Sequence, residues 1–245
     1  MVSAPLLLPV ALVQGLWVRA ITPRLPPARG HCGHFGSGEN PLRVVGVGDS
    51  IIAGVGVDTQ RHALVGQFAR RLHERTGRRV EWHVHGLNGA TSAFIAERIA
   101  PRARPADVYL VSAGVNDVTR GVRAETYAAN VRRVLVALRT RSPEAAVLLV
   151  GVPPLQYFPA LPSPLGPLLG ERAQRLQEAA RAVTAGDQAL CFDFPGSLPG
   201  GGFARDGFHP AAQACGVWAA WLLDLWLSRA APTSSLGPSP ASPPA

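Results

Sequence analysis

The chain has 245 residues, 47% hydrophobic and 16% charged, enough apolar material for one large core rather than two small ones. Its formal charge of +8 comes from arginine without a single lysine. The arginines scatter over helical faces (Arg70, Arg71, Arg75, Arg132, Arg133) with no interleaved aromatics, so no nucleic-acid partner is expected. Three cysteines, Cys32, Cys191 and Cys215, are odd in number and lack short spacings, which excludes a disulfide framework and a zinc signature. The stretch HCGH at 31–34 has no matching second half, so no metal or other cofactor is expected.

Residues 4–18 are apolar except for Gln14, and Arg19, Arg24 and Arg29 follow. The run is shorter than the roughly 20 residues of a comfortable membrane span. No basic residue precedes it and no A-x-A site follows, so a cleaved signal peptide fits poorly. Residues 1–21 therefore read either as an uncleaved anchor or interfacial segment with a cytoplasmic body, or as a helix packed on the domain. Peripheral or single-anchor membrane association is left open, and the oligomeric state is not legible. Residues 22–41 read as a Pro/Gly-rich linker.

From 42 to 229 the pattern is regular. Five short apolar runs, at 42–48, 80–85, 107–112, 146–152 and 189–194, alternate with helical periodicity at 62–75, 124–139 and 171–185. Alternation of this kind means parallel strands joined by right-handed crossovers, hence a three-layer α/β/α sandwich. A final helix over 211–227 carries Trp218, Trp221, Leu222, Leu225 and Trp226 on one stripe, expected to pack on the sheet. The Ala/Pro/Ser-rich tail, 230–245, is expected to be disordered. Between the fourth run and the next helix, residues 153–170 hold six prolines, which argue against regular structure. Leu155, Tyr157, Phe158, Leu161 and Leu165 make that loop too apolar to be idle, and they are expected to wall a substrate pocket at the carboxyl edge of the sheet.

Ser50 stands just past the first strand, in GDS, at the edge where open α/β sheets bind ligands. A helix starting soon after would add amide donors; the serine alone reads equally as an N-cap. A hydroxyl nucleophile needs a base, and the base needs a group that fixes its tautomer. RDGFHP, at 205–210, supplies both: Asp206 and His209 lie three apart on a glycine turn. Donors for an oxyanion are offered by Asn116, in SAGVND after the third strand, and by Gly89, in GLNGATS after the second. Each also has an ordinary reading, Asn116 as a turn residue and Gly89 as a turn glycine before a cap at Thr91 or Ser92.

The four stretches GDS (48–50), NGATS (88–92), GVND (114–117) and DGFHP (206–210), in this order and spacing, resemble those of the SGNH hydrolase superfamily, also called GDSL-type esterases and lipases. The resemblance covers 42–227 and implies a flavodoxin-like five-stranded parallel sheet of order 2-1-3-4-5. It implies Ser50 as nucleophile, His209 as general base, Asp206 as its orienting partner, and an oxyanion hole from the Ser50 and Gly89 amides and the Asn116 side chain. Asp49 and Asp117 would be structural acceptors. The expected activity is hydrolysis of a small-molecule or lipid ester through an acyl-enzyme. The alternative is a non-catalytic anion- or ligand-binding module on the same scaffold, which would need neither the Asp206 and His209 pair nor Asn116.

Overall fold

The run Leu42–Gly48 becomes an interior strand because both of its faces are apolar: Val44 meets one helical layer, Val45 and Val47 the other. The computed structural model describes residues 4–185, 187, 189–194 and 202–230. Its strands are β1 (Cys32–Phe35), β2 (Leu42–Gly48), β3 (Val80–Gly86), β4 (Val108–Ser112), β5 (Ala146–Leu149) and β6 (Leu190–Cys191), in the spatial order β1-β3-β2-β4-β5-β6. β2 to β6 pair in parallel, and counted alone they run 2-1-3-4-5.

Helices α2 (Leu64–Thr76) and α7 (Ala212–Ala230) cover one face of the sheet, and α5 (Ala124–Arg141) and α6 (Leu165–Thr184) cover the other. Short turns α3 (Ser92–Phe94) and α4 (Val115–Thr119) follow β3 and β4. The mixed α/β sandwich expected from the alternating pattern is thus present. The segment 195–201 and the part of the tail from 231 onward lie outside the described residues.

Several expectations need correction. The stretch 22–41 is more than a linker: Cys32–Phe35 pairs antiparallel with β3, and Phe35 is buried. This sixth strand covers what would otherwise be an open edge of β3. The fifth parallel strand is only two residues long, against the six expected at 189–194. No helix follows Ser50 directly; residues 51–63 form successive turns before α2 begins at Leu64. The prolines of 153–170 do not keep that segment irregular to its end, because α6 begins at Leu165 with Pro167 inside its first turn. A proline there removes an N–H that would lack an intrahelical partner anyway.

Helix α1 (Ala4–Ile21) overturns the anchor expectation: among the described residues no helix is long and apolar enough to cross a membrane. The helix instead lies on the body. Ala11 and Val18 are buried in the same core as α5 and α6, and Gln14 bridges to the start of α6, donating to Ser163 O at 2.8 Å and accepting from Leu165 N at 3.1 Å.

The register aligns three strand ends. Gly48 pairs with Gly86 on one side and with Ser112 on the other. Gly48 must be glycine, since a Cβ there would come within 2.2 Å of Ser112 O, a backbone atom that cannot swing aside. Gly48→Ala is therefore expected to lower the unfolding free energy by about 2 kcal/mol or more, in the upper range of overpacking costs. Chemical denaturation of the variant beside wild type measures it.

Candidate active site

Three loops leave the aligned ends of β2, β3 and β4 and meet in one cleft. Ser50 and Ile51 come from the first loop, Asn88 from the second and Asn116 from α4 after the third. His209 and Phe208 enter from the segment before α7. The cleft has a volume of about 170 Å³.

The glycine-rich turn after Ser50 allows this meeting. Gly56 has φ +92°, and a side chain on it would come within 3.1 Å of His209 Cβ and 2.8 Å of Ala204 Cβ. Asp49 anchors the turn from beneath: its buried carboxylate accepts from Ser112 Oγ at 2.8 Å and Ile51 N at 3.1 Å. Burial nevertheless raises its pKa, against these hydrogen bonds. The Ser50 amide donates to no protein acceptor among the described residues, and neither does that of Gly89.

A second anchor ties the loop after β3 to α4. Asp117 accepts from Ser92 N at 2.9 Å and from Ser92 Oγ at 2.6 Å, and Asn130 Nδ2 of α5 donates to the same hydroxyl at 3.0 Å. Burial raises the Asp117 pKa as well, with the Ser92 bonds opposing it. One helical residue before Asp117, Asn116 donates from Nδ2 to Ala90 O at 3.0 Å, which orients the amide and leaves its second hydrogen for the cleft. Thr91, not Ser92, caps α3, accepting from Phe94 N.

Asp206 and His209 form a tight pair. Asp206 Oδ2 lies 2.6 Å from His209 Nδ1, and Oδ1 accepts from the amides of Phe208 and His209 at 3.0 and 3.1 Å. The carboxylate is buried behind the ring. Burial pushes its pKa up, but the hydrogen bonds from His209 and the two amides prevail and hold it below the ordinary value. No hydrogen bond joins Ser50 Oγ to His209 among the described residues, although both line the cleft; such contacts commonly tighten only around a bound substrate.

The expected pocket wall is largely misplaced. Of the five residues proposed for it, only Phe158 lines the cleft. Leu155, Leu161 and Leu165 are buried in the core shared by α5 and α6, and Tyr157 is 69% exposed. The apolar wall is instead aromatic: Phe203 and Phe208 stand edge-on to Phe158, with ring centroids 5.2 and 6.1 Å away, and Trp218 of α7 reaches the cleft while packing in the core. The sequence signal was available in the two phenylalanines, at 203 and 208, beside the Asp206 and His209 motif.

Comparison with known proteins gives the family and the fold. Residues 47–215 match the model of the GDSL-like lipase/acylhydrolase family. A GDSL-like esterase of Mycobacterium tuberculosis is 33% identical over 186 residues, 68% of this chain and 56% of that protein, so the match spans little more than half of the relative. The lipase/acylhydrolase from Enterococcus faecalis shares the fold with a TM-score of 0.59 at 20% identity, over 79% of this chain and 100% of the other. The esterase EstA from Pseudoalteromonas, solved in a form inhibited by monoethylphosphonate, does so with a TM-score of 0.58 at 16% identity, over 76% of this chain and 98% of that one.

The depressed Asp206 pKa has a sign that can be tested. Its contribution to stability is fully present above the ordinary carboxylate pKa and is lost as pH falls through the depressed value in the fold. Asp49 and Asp117, raised, act in the opposite sense and favour the fold at low pH. Asp206→Asn should therefore cost about 1.5–3 kcal/mol at neutral pH, as for hydrogen bonds to charged groups. It should also remove part of the fall in stability below pH of about 4, read from unfolding free energies across pH.

Proposed function

The chain belongs to the GDSL-like lipase/acylhydrolase family, and on that premise we propose that it hydrolyses carboxylic esters through an acyl-enzyme on Ser50. The observation that carries the proposal is the 2.6 Å contact of Asp206 with His209 Nδ1 in the cleft that also holds Ser50 and Asn116. A binding module would have no use for that pair.

The contact dictates the tautomer. With Nδ1–H donated to Asp206, the lone pair of His209 sits on Nε2 and is free to take the Ser50 proton. The Ser50 oxygen attacks the ester carbonyl as the proton moves to Nε2, and Asp206 balances the imidazolium that results. The charge that develops on the carbonyl oxygen is met by the Ser50 and Gly89 amides and by the free hydrogen of Asn116 Nδ2. Collapse breaks the ester C–O bond, and the alcohol leaves with the proton from Nε2. Water, deprotonated by the same nitrogen, then cleaves the acyl-enzyme and returns the proton to Ser50.

The wall of Phe158, Phe203 and Phe208 and the cleft volume of about 170 Å³ favour short-to-medium acyl chains over long ones. A p-nitrophenyl ester series from acetate to palmitate tests both parts. Turnover should peak below the long-chain members. It should fall by roughly a thousandfold or more in Ser50→Ala and His209→Ala. In Asn116→Ala it should fall on the order of a hundredfold. Turnover retained by folded Ser50→Ala would refute the mechanism.

A further inference from the structure

The cleft lining includes no acidic side chain among the described residues, and the short helix that carries Asn116 ends on a cation. Arg120 is exposed and follows the cleft residue Thr119. Its Nη2 lies 3.4 Å from Gly89 O, so the guanidinium rests on the loop whose neighbouring Asn88 borders the cleft. That contact is long for a hydrogen bond and engages one of five donors.

Elsewhere among the described residues seven of the chain's 24 arginines, Arg70, Arg75, Arg79, Arg133, Arg139, Arg175 and Arg181, meet a carboxylate. Among the described residues Arg120 meets none: the charge that couples to it, Asp117, is buried with both oxygens on Ser92. At the next residue, the guanidinium of Arg172 from α6 lies over Gly121 so closely that a Cβ there would come within 2.8 Å of Nη2. It too has no acidic partner among the described residues. Arg120 thus stands next to the cleft residue Thr119 and rests on the loop of Asn88, while Phe158, Phe203 and Phe208 give the same cleft its aromatic lining.

Resting on the hydrolase reading above, we propose that Arg120, backed by Arg172, determines specificity at the cleft mouth by selecting esters whose alcohol part carries a negative charge. The apolar acyl part would lie on Phe158, Phe203 and Phe208, and a carboxylate or phosphate would take the unused fork of Arg120, whose geometry suits either anion. The site is exposed, so the selection is modest and sensitive to salt.

Three aryl butyrates test this: 4-butyryloxybenzoate, 4-butyryloxyphenyl phosphate and the neutral 4-butyryloxybenzamide, with each kcat/KM divided by the ester's rate of hydroxide hydrolysis. Wild type should favour an anionic ester roughly fivefold over the neutral one, the scale of an exposed ion pair. Arg120→Gln should bring that ratio near one, Arg120→Lys should keep part of it, and high salt should erode it. A preference for only one of the two anions supports the proposal and identifies the charge. Equal rates for all three in wild type, or Arg120→Gln slowing all three by one factor, would overturn it, the latter leaving Arg120 as a clamp on Gly89 alone. Should Arg120→Gln not fold, the salt dependence of the wild-type ratio and the ratio in Arg172→Gln decide the same question. Failure of folded wild type to cleave any of the three overturns the hydrolase reading and this inference with it, whereas cleavage without preference overturns this inference alone.

Discussion

Three loops converge on the cleft because β2, β3 and β4 end at one level, and they can end there because Gly48 leaves no side chain between them. Gly48 pairs with Gly86 and Ser112, and the backbone oxygen of Ser112 occupies the space a Cβ would need. Parallel pairing in this register brings Ser50, Asn88 and Asn116 to one rim. The polar site is a consequence of strand length and steric fit before it is a matter of chemistry.

Buried carboxylates then hold what the register has brought together. Asp49 ties the Ser50 turn to β4, and Asp117 ties the loop after β3 to α4 and, through Ser92, to Asn130 of α5. Asp206 differs from both: its hydrogen bonds overcome burial, and the carboxylate is held ionised against the His209 ring. Two acids therefore tolerate burial as loop fasteners, and the third keeps its charge beside an imidazole. Their opposite pKa shifts follow from the balance of desolvation against hydrogen bonding at each place.

Ser50 and Asn116 were legible in the sequence because each follows an apolar run, and such runs betray strands, whereas Asp206 and His209 were legible from their spacing of three on a glycine turn. The strand order followed from family resemblance rather than from periodicity. The edge strand Cys32–Phe35 was not legible, since only Phe35 in it is buried and its surroundings are rich in proline and glycine. The pocket wall failed for a related reason. A proline-rich loop has no period, so nothing local separates Leu155, which turns into the core, from Phe158, which turns to the cleft. Helix α1 misled by composition: an apolar stretch looks alike whether it enters lipid or packs by Ala11 and Val18 on a protein surface.

Most depends on Ser50 being a nucleophile activated by His209. Incubation of the folded chain with a fluorophosphonate, followed by intact-mass measurement and peptide mapping, tests this without assuming a substrate. One covalent adduct is expected, located on Ser50, absent from Ser50→Ala and formed far more slowly by His209→Ala. Folded wild-type protein that stays unlabelled, or that carries the label elsewhere, would contradict it.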